Sequence, residues 1–307
     1  MSTDELRNEL VWSHSRARLH DVCLRAYWFT YYGSWGGWDA QAPPEARQAY
    51  VEKKLTTRPM WTGTVVHAIA EEGVKLGRAR GGDDVEDAVR AARDRADVDI
   101  ADSASGAWLR RPARLTGFAE HYYGTAVEPE QWTGAVSEIE RQVRNLHRSR
   151  IYRRLLDVPE RIREVEELQR FRVADGEVYV SLDVLVDDGR GGVVIIDWKT
   201  GDAHADTTIA AQLGIYGLYA TEVLGVPGDR IVAMHVNLRH ETETRHPIGP
   251  AEVEAARAEV AAGLVTLRAR LTDVAENTAR KEDFPTLPEG DPRCRWCTLR
   301  RRCGREN

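Results

Sequence analysis

Val193-Val194-Ile195-Ile196-Asp197-Trp198-Lys199-Thr200-Gly201 is the stretch on which the reading of the fold turns. Four branched apolar residues in succession read as a strand buried on both faces, and the run ends abruptly in charge. Side chains alternate along a strand, so Asp197 and Lys199 share one face while Trp198 packs on the other. A carboxylate and an ammonium therefore meet at a strand tip. Taken alone, such a triplet is most often a surface ion pair, so its meaning depends on its surroundings.

Immediately upstream lies Val180-Ser181-Leu182-Asp183-Val184-Leu185-Val186, one acid in an apolar run, joined to the first stretch by Asp188-Gly189-Arg190-Gly191-Gly192. That glycine-rich link predicts a hairpin, and antiparallel pairing across it sets Asp183 facing Asp197. Two carboxylates so close repel unless a cation lies between them, and hard oxygen ligands select Mg²⁺ or Mn²⁺. Such an ion polarises a phosphate oxygen and activates water, with Lys199 placed to steady charge on the phosphoryl group, which is the chemistry of phosphodiester hydrolysis. His67, in the helix start Thr62-Gly63-Thr64-Val65-Val66-His67, is a candidate third ligand. Gln212 and Tyr216 stand at i and i+4 on one helix face, where a substrate phosphate or base is within reach.

Working outward, residues 45 to 157 have helical spacing, 162 to 174, 177 to 187 and 192 to 199 read as strands, and 206 to 224 as a helix. A further strand is predicted at 230 to 238 and a long alanine-rich helix at 250 to 281. The expected division is an N-terminal segment (1–45), a helical region containing His67 (46–160), a core of sheet and helix (161–245) and a C-terminal segment (246–307). No motif assigns a role to residues 83–157.

The chain of 307 residues is 42% hydrophobic and 30% charged, which suits a folded domain with a substantial core. Its net charge of -6 excludes nucleic-acid binding by overall basicity. Two arginine-rich segments, Arg141 to Arg154 and Arg293 to Arg305, are the places where a phosphate backbone is expected to run. The aromatic run Tyr27 to Trp38 is read as packing rather than base stacking. No apolar run is long enough to cross a bilayer and the first twenty residues lack a signal's apolar region, so a cytoplasmic protein is expected. In that compartment Cys23, Cys294, Cys297 and Cys303 read as four thiolate ligands of one metal centre that ties the chain ends together, with zinc and an iron-sulfur cluster equally compatible.

Taken together, Gly63 to His67, Asp183, Asp197-Trp198-Lys199-Thr200-Gly201 and Gln212 to Tyr216 resemble the RecB-like branch of the PD-(D/E)XK nucleases. Cys23 with Cys294-Arg-Trp-Cys297 and Cys303 is similar to the iron-sulfur members, among them CRISPR-associated RecB-like exonucleases and AddB-type helicase-nuclease subunits. The resemblance implies a restriction-endonuclease-like α/β core, a mixed central sheet flanked by helices, with a helical insertion and a C-terminal iron-sulfur segment. It implies Asp183, Asp197 and His67 as metal ligands, with Glu166 a weaker candidate, Lys199 as the catalytic lysine, and Gln212 with Tyr216 as the motif that follows. The four cysteines then hold a 4Fe-4S cluster. The implied activity is exonucleolytic, on single-stranded or frayed DNA, within a repair, recombination or defence complex. The chain departs from the pattern at Val180, where a glycine is usual. A DNA-binding subunit without catalysis and a restriction-type endonuclease are the competing expectations.

Overall fold

The computed structural model describes residues 7–80, 84–202 and 206–305. Six strands form one mixed sheet: β1 (Val11–Trp12), β2 (Ile162–Val173), β3 (Gly176–Asp187), β4 (Val193–Lys199), β5 (Ile231–Asn237) and β6 (Thr242–Ile248). β2 lies antiparallel along β3, β3 antiparallel to β4, β4 parallel to β5 and β5 antiparallel to β6. β1 runs parallel to β3 and pairs only at Glu177 and Val178.

Helices cover both faces, as a sheet with so apolar a centre requires. In chain order they are α1 (His14–Val22), α2 (Leu24–Trp28), α3 (Pro44–Lys53), α4 (Arg58–Arg80), α5 (Val85–Ala104), α6 (Ala119–Tyr122), α7 (Pro129–Arg148), α8 (Arg150–Asp157), α9 (Asp206–Glu222) and α10 (Pro250–Arg268). One core joins the sheet to α9 and α10 through Leu213, Leu218, Val260 and Leu264. The other joins it to α4, α5, α7 and α8 through Val66, Ala92, Val143 and Tyr152. The parallel pair β4–β5 is closed by α9, the helical crossover such a pair needs.

The central strands fall where the sequence places them, but one expectation changes and one strand, β6, is added. The predicted helix 250–281 stops at Arg268. Beyond it Asp273 accepts the backbone N–H groups of Ala275 and Glu276 at 2.9 and 3.1 Å, which turns the chain in competition with a helix. The N-terminal aromatics fix that turn, Trp28 Nε1 donating to the Ala279 carbonyl at 2.8 Å. Strand β6 has no apolar alternation, because Thr-Glu-Thr-Arg-His-Pro-Ile lies at the sheet edge, where charge and proline are tolerated. Tyr27 is buried and stacks on Phe284, in keeping with a packing role for the aromatic run.

Candidate active site

The site forms where the β2–β3 ribbon passes from one core to the other. Val178, Val180 and Leu182 pack on the α9–α10 side, yet Val184 and Val186 pack on the α4 side. In a regular strand all five would share a face, so the phase slips at Asp183. β2 slips at the same level: Phe171 and Val173 belong to the first core and Val165 to the second. Between them Glu166 has φ +51°, a left-handed conformation costing a non-glycine residue about 1–3 kcal/mol. The kink delivers two carboxylates into the seam between the cores.

Register then builds a row. Glu166 falls opposite Asp183, between the pairs Val165–Val184 and Glu167–Leu182. On the other side of β3, Asp183 follows the pair Val184–Ile196 and so faces Asp197. Here the ladder opens, and an Asp183 carboxylate oxygen replaces a main-chain carbonyl, accepting Trp198 N–H at 2.6 Å. From α4, His67 Nδ1 lies 3.3 Å from Glu166 Oε1 and 3.7 Å from Asp183 Oδ2. Among the described residues these three form the one group whose ligand atoms all lie within 4.8 Å of one another.

Asp197 stands beside this group, turned to the α9 side. Its Oδ1 accepts from Lys199 Nζ at 2.8 Å and from the Tyr216 hydroxyl at 3.4 Å, while Gln212 Nε2 donates to that hydroxyl at 2.6 Å. Asp197 Oδ2 is buried without a hydrogen-bond partner, an orphaned carboxylate oxygen of the kind a cation satisfies. Trp198 packs into the opposite core at 1% exposure, as alternation requires. Besides the substrate contact expected from sequence, Gln212 and Tyr216 thus have a contact within the protein: they brace Asp197.

Burial pushes the Asp183 carboxyl up to about 7, with Asp197 and Glu166 adding to the rise and His67 and Lys199 opposing it. For His67 burial works against the charged ring, but Asp183 and Glu166 outweigh it and hold the imidazole above its ordinary value. Burial, with Asp197 and Asp183 adding to it, holds the Tyr216 hydroxyl well above its ordinary value, so it stays a donor at neutral pH. A cluster of three acids and a histidine, one acid holding its proton near neutrality, is repulsive in itself and suits a divalent cation.

The group is reachable. A cavity of about 460 Å³ opens beside it, lined by Gly63, Thr64, His67, Glu71, Glu166 and Thr200 among others. Gly63 is required by proximity, since a Cβ there would lie 2.7 Å from Thr200 Oγ1. Absence of that carbon lets α4 settle against the end of β4 and bring His67 to the acids. The segment after Lys199 is tethered by Gln142 Nε2 to the Thr200 carbonyl at 3.0 Å and Asn237 Nδ2 to the Gly201 carbonyl at 3.1 Å. Glu166 was the weaker candidate from sequence, yet the structure gives it a full place in the row. Its signal was the turn at Asp175-Gly176, from which register alone sets Glu166 opposite Asp183.

The cysteines come from both ends of the chain, and none is in a disulfide. Cys23 caps α2, accepting Ala26 N–H at 3.4 Å, while Cys294 and Cys303 lie on two short 3₁₀ turns and Cys297 directly follows the first. Cys23, Cys297 and Cys303 pack against the small apolar cluster of Ala26, Phe29, Ala49 and Leu299. Burial pushes the Cys297 thiol up to about 11, and the thiols of Cys23, Cys303 and Cys294 are near enough to add to the rise. Arg293 donates to the Val22 carbonyl at 3.0 Å and Arg302 meets the fully buried Glu52 at 3.1 Å, fastening the C-terminal segment to α1 and α3. Arginines of α7 and α8 pair with acids at the surface while staying exposed: Arg141 with Glu138, Arg144 with Glu86, Arg148 with Glu241 and Arg150 with Glu243.

A sheet of this order carries an acidic row, a D-x-K strand end and a helix-borne histidine, of which His67, Glu166 and Asp183 could hold a divalent cation. Consistent with it, residues 11–304 match the PD-(D/E)XK nuclease superfamily, and the chain belongs to that superfamily of metal-dependent nucleases. Among curated proteins none matches the chain significantly. Eight chains of solved structures match it. One, titled "Crystal structure of SSO0001", is 15% identical, with a TM-score of 0.31, over 57% of this chain and 75% of that one. No helix among the described residues is long and apolar enough to cross a membrane.

Proposed function

We propose that the chain is a Mg²⁺- or Mn²⁺-dependent deoxyribonuclease that removes nucleotides from single-stranded or frayed DNA ends in repair, recombination or defence. The observation that carries the reading is the cross-strand row Glu166–Asp183–Asp197 with His67 at its open side and Lys199 at its closed side. His67, Glu166 and Asp183 would hold the cation, with the unpartnered Asp197 Oδ2 as a further donor. When bound, the ion supplies Lewis acidity to the scissile phosphate and acidifies its water. Lys199 offers an ammonium to the charge that grows on the phosphoryl oxygens as the water oxygen bonds to phosphorus and the ester P–O bond breaks. Asp197, held by Lys199 and Tyr216, fixes that ammonium in place. The preference for ends and single strands rests on the RecB-like resemblance of His67, Asp197 to Gly201, and Gln212 to Tyr216.

In the same reading Cys23, Cys294, Cys297 and Cys303 bind a 4Fe-4S cluster of structural role, supported by the packing of Cys23, Cys297 and Cys303 on one small apolar cluster and by the nearness of Cys294 to Cys297. Purified protein incubated with end-labelled linear DNA and Mn²⁺ tests the activity. Progressive shortening of linear strands with closed circles left intact is expected. Equal cutting of closed circles marks a restriction-type endonuclease instead, and binding without turnover marks a subunit that has lost catalysis.

A further inference from the structure

The sheet has a notch beside the acidic row. Because β2 occupies the whole of one edge of β3, β1 and β4 share the other, β1 at Glu177–Val178 and β4 from Val184 to Asp187. Among the described residues no strand pairs with that edge between them, from Tyr179 to Asp183. A cavity of about 350 Å³ lies there, within the range of roughly 300–1,000 Å³ typical of small-ligand pockets. His14, the first residue of α1, Ser181 and Gln212 give it polar groups, and Leu168, Tyr179 and Ile215 give it apolar walls.

His14 is the unexplained group. Both of its ring nitrogens are buried and neither has a hydrogen-bond partner, and among the residues lining this cavity it alone has such atoms. Burial, together with the positive charges of Arg18 and Lys199, holds its pKa below the ordinary value, so the ring is neutral near pH 7. A neutral imidazole presents one donor and one acceptor, a serine hydroxyl and a glutamine amide likewise offer both, and no Lys or Arg is among the lining residues. A phosphate would seek cations, whereas a nucleobase edge with alternating donors and acceptors on a flat apolar body matches this lining. Tyr216, which lines the cavity, donates to the same Asp197 oxygen that accepts from Lys199, so the cavity adjoins the acidic row.

We infer that this notch receives one unstacked nucleobase of the substrate strand, next to the scissile phosphate, with His14 hydrogen-bonding its edge. The inference rests on the nuclease reading and makes its substrate specific: the strand must be single or frayed at this point, because a base within a duplex cannot enter. His14 is then a substrate-positioning residue that takes no part in breaking the ester bond.

Fluorescence anisotropy of labelled single-stranded oligonucleotides in EDTA and low salt reads the pocket without turnover, each strand carrying one abasic site moved along the bound stretch. In the wild-type chain one abasic position is expected to weaken binding about tenfold. His14→Ala should bind the intact strand about tenfold more weakly and lose that positional sensitivity. A wild-type profile flat along the strand overturns the inference, however the variant folds, and so does a sensitivity unchanged in a His14→Ala chain that melts like wild type. Mn²⁺-dependent cleavage of the intact strand is followed in parallel. Cleavage with a flat profile removes the pocket and leaves the nuclease. A sensitive position without cleavage supports the pocket as a base-binding site and removes the hydrolytic reading.

Discussion

The acidic row and the cysteine pocket are both places where this chain concentrates ligands, and they are built in opposite ways. Glu166, Asp183 and Asp197 lie on three adjacent strands whose register is set by short hairpins, so the sheet positions them whether or not an ion is bound. Cys23 comes from the first segment of the chain and Cys294, Cys297 and Cys303 from the last, and each is partly buried. Repulsion gathered at the row is held in place by the core around it. The cysteine pocket has little core of its own, its fully buried residues being Ala26, Phe29, Ala49 and Leu299. On the function proposed above, the difference predicts that a site for chemistry and a site for closure fail differently when ligands are removed.

The largest separation is expected between Asp183→Ala and Cys297→Ala. Asp183→Ala should lower DNA cleavage by roughly 10²–10³-fold in a gel assay while leaving the circular dichroism melt within a few degrees of wild type. Cys297→Ala should cost about 2–4 kcal/mol in urea unfolding, comparable to losing a long-range crosslink, with activity falling only as the fold does. Visible absorbance with iron content of the anaerobically purified chain separates cluster from zinc.

A smaller effect follows from protonation. Asp183 titrates at about 7 in the folded chain against an ordinary 3.8, so the folded state holds a proton that the unfolded chain releases. His67, raised above 6.5, acts in the same sense at higher pH. Both contributions are full at low pH and are lost as pH rises, so metal-free stability should decline from about pH 4 to beyond pH 7. Mn²⁺ competes with those protons, and the rise in melting temperature it gives should grow over the same interval. A metal effect that shrinks with rising pH contradicts the assignment of Asp183 as ligand.

The smallest effect expected is at Gly63. Gly63→Ala presses a methyl group towards Thr200 Oγ1 and displaces His67 slightly, so cleavage should fall by less than about tenfold. Thr200→Ala in the same chain removes the obstructing oxygen and should restore most of the rate.

Much of this was legible in the sequence, for identifiable reasons. Val193 to Lys199 announces a central strand by its apolar run, and the glycine-rich turn fixes its register against β3. The phase slip at Glu166 and Asp183 was not legible, because no glycine marks it. The left-handed residue is a glutamate, held by packing from both cores. Nor was the bracing of Asp197 by Tyr216, since helical spacing gives a shared face and not the partner it meets. The surface pairing of Arg144, Arg148 and Arg150 was not legible either, because their acidic partners, Glu86, Glu241 and Glu243, are distant along the chain.

Mn²⁺ binding followed by electron paramagnetic resonance, in the wild-type chain and in Glu166→Gln and Asp183→Asn, bears most directly on the row. One tightly held ion is expected in the wild-type chain, weakened at least about tenfold by either substitution. Equal affinity in all three chains, with the wild type still cutting DNA, would place the catalytic ion elsewhere and contradict the site described.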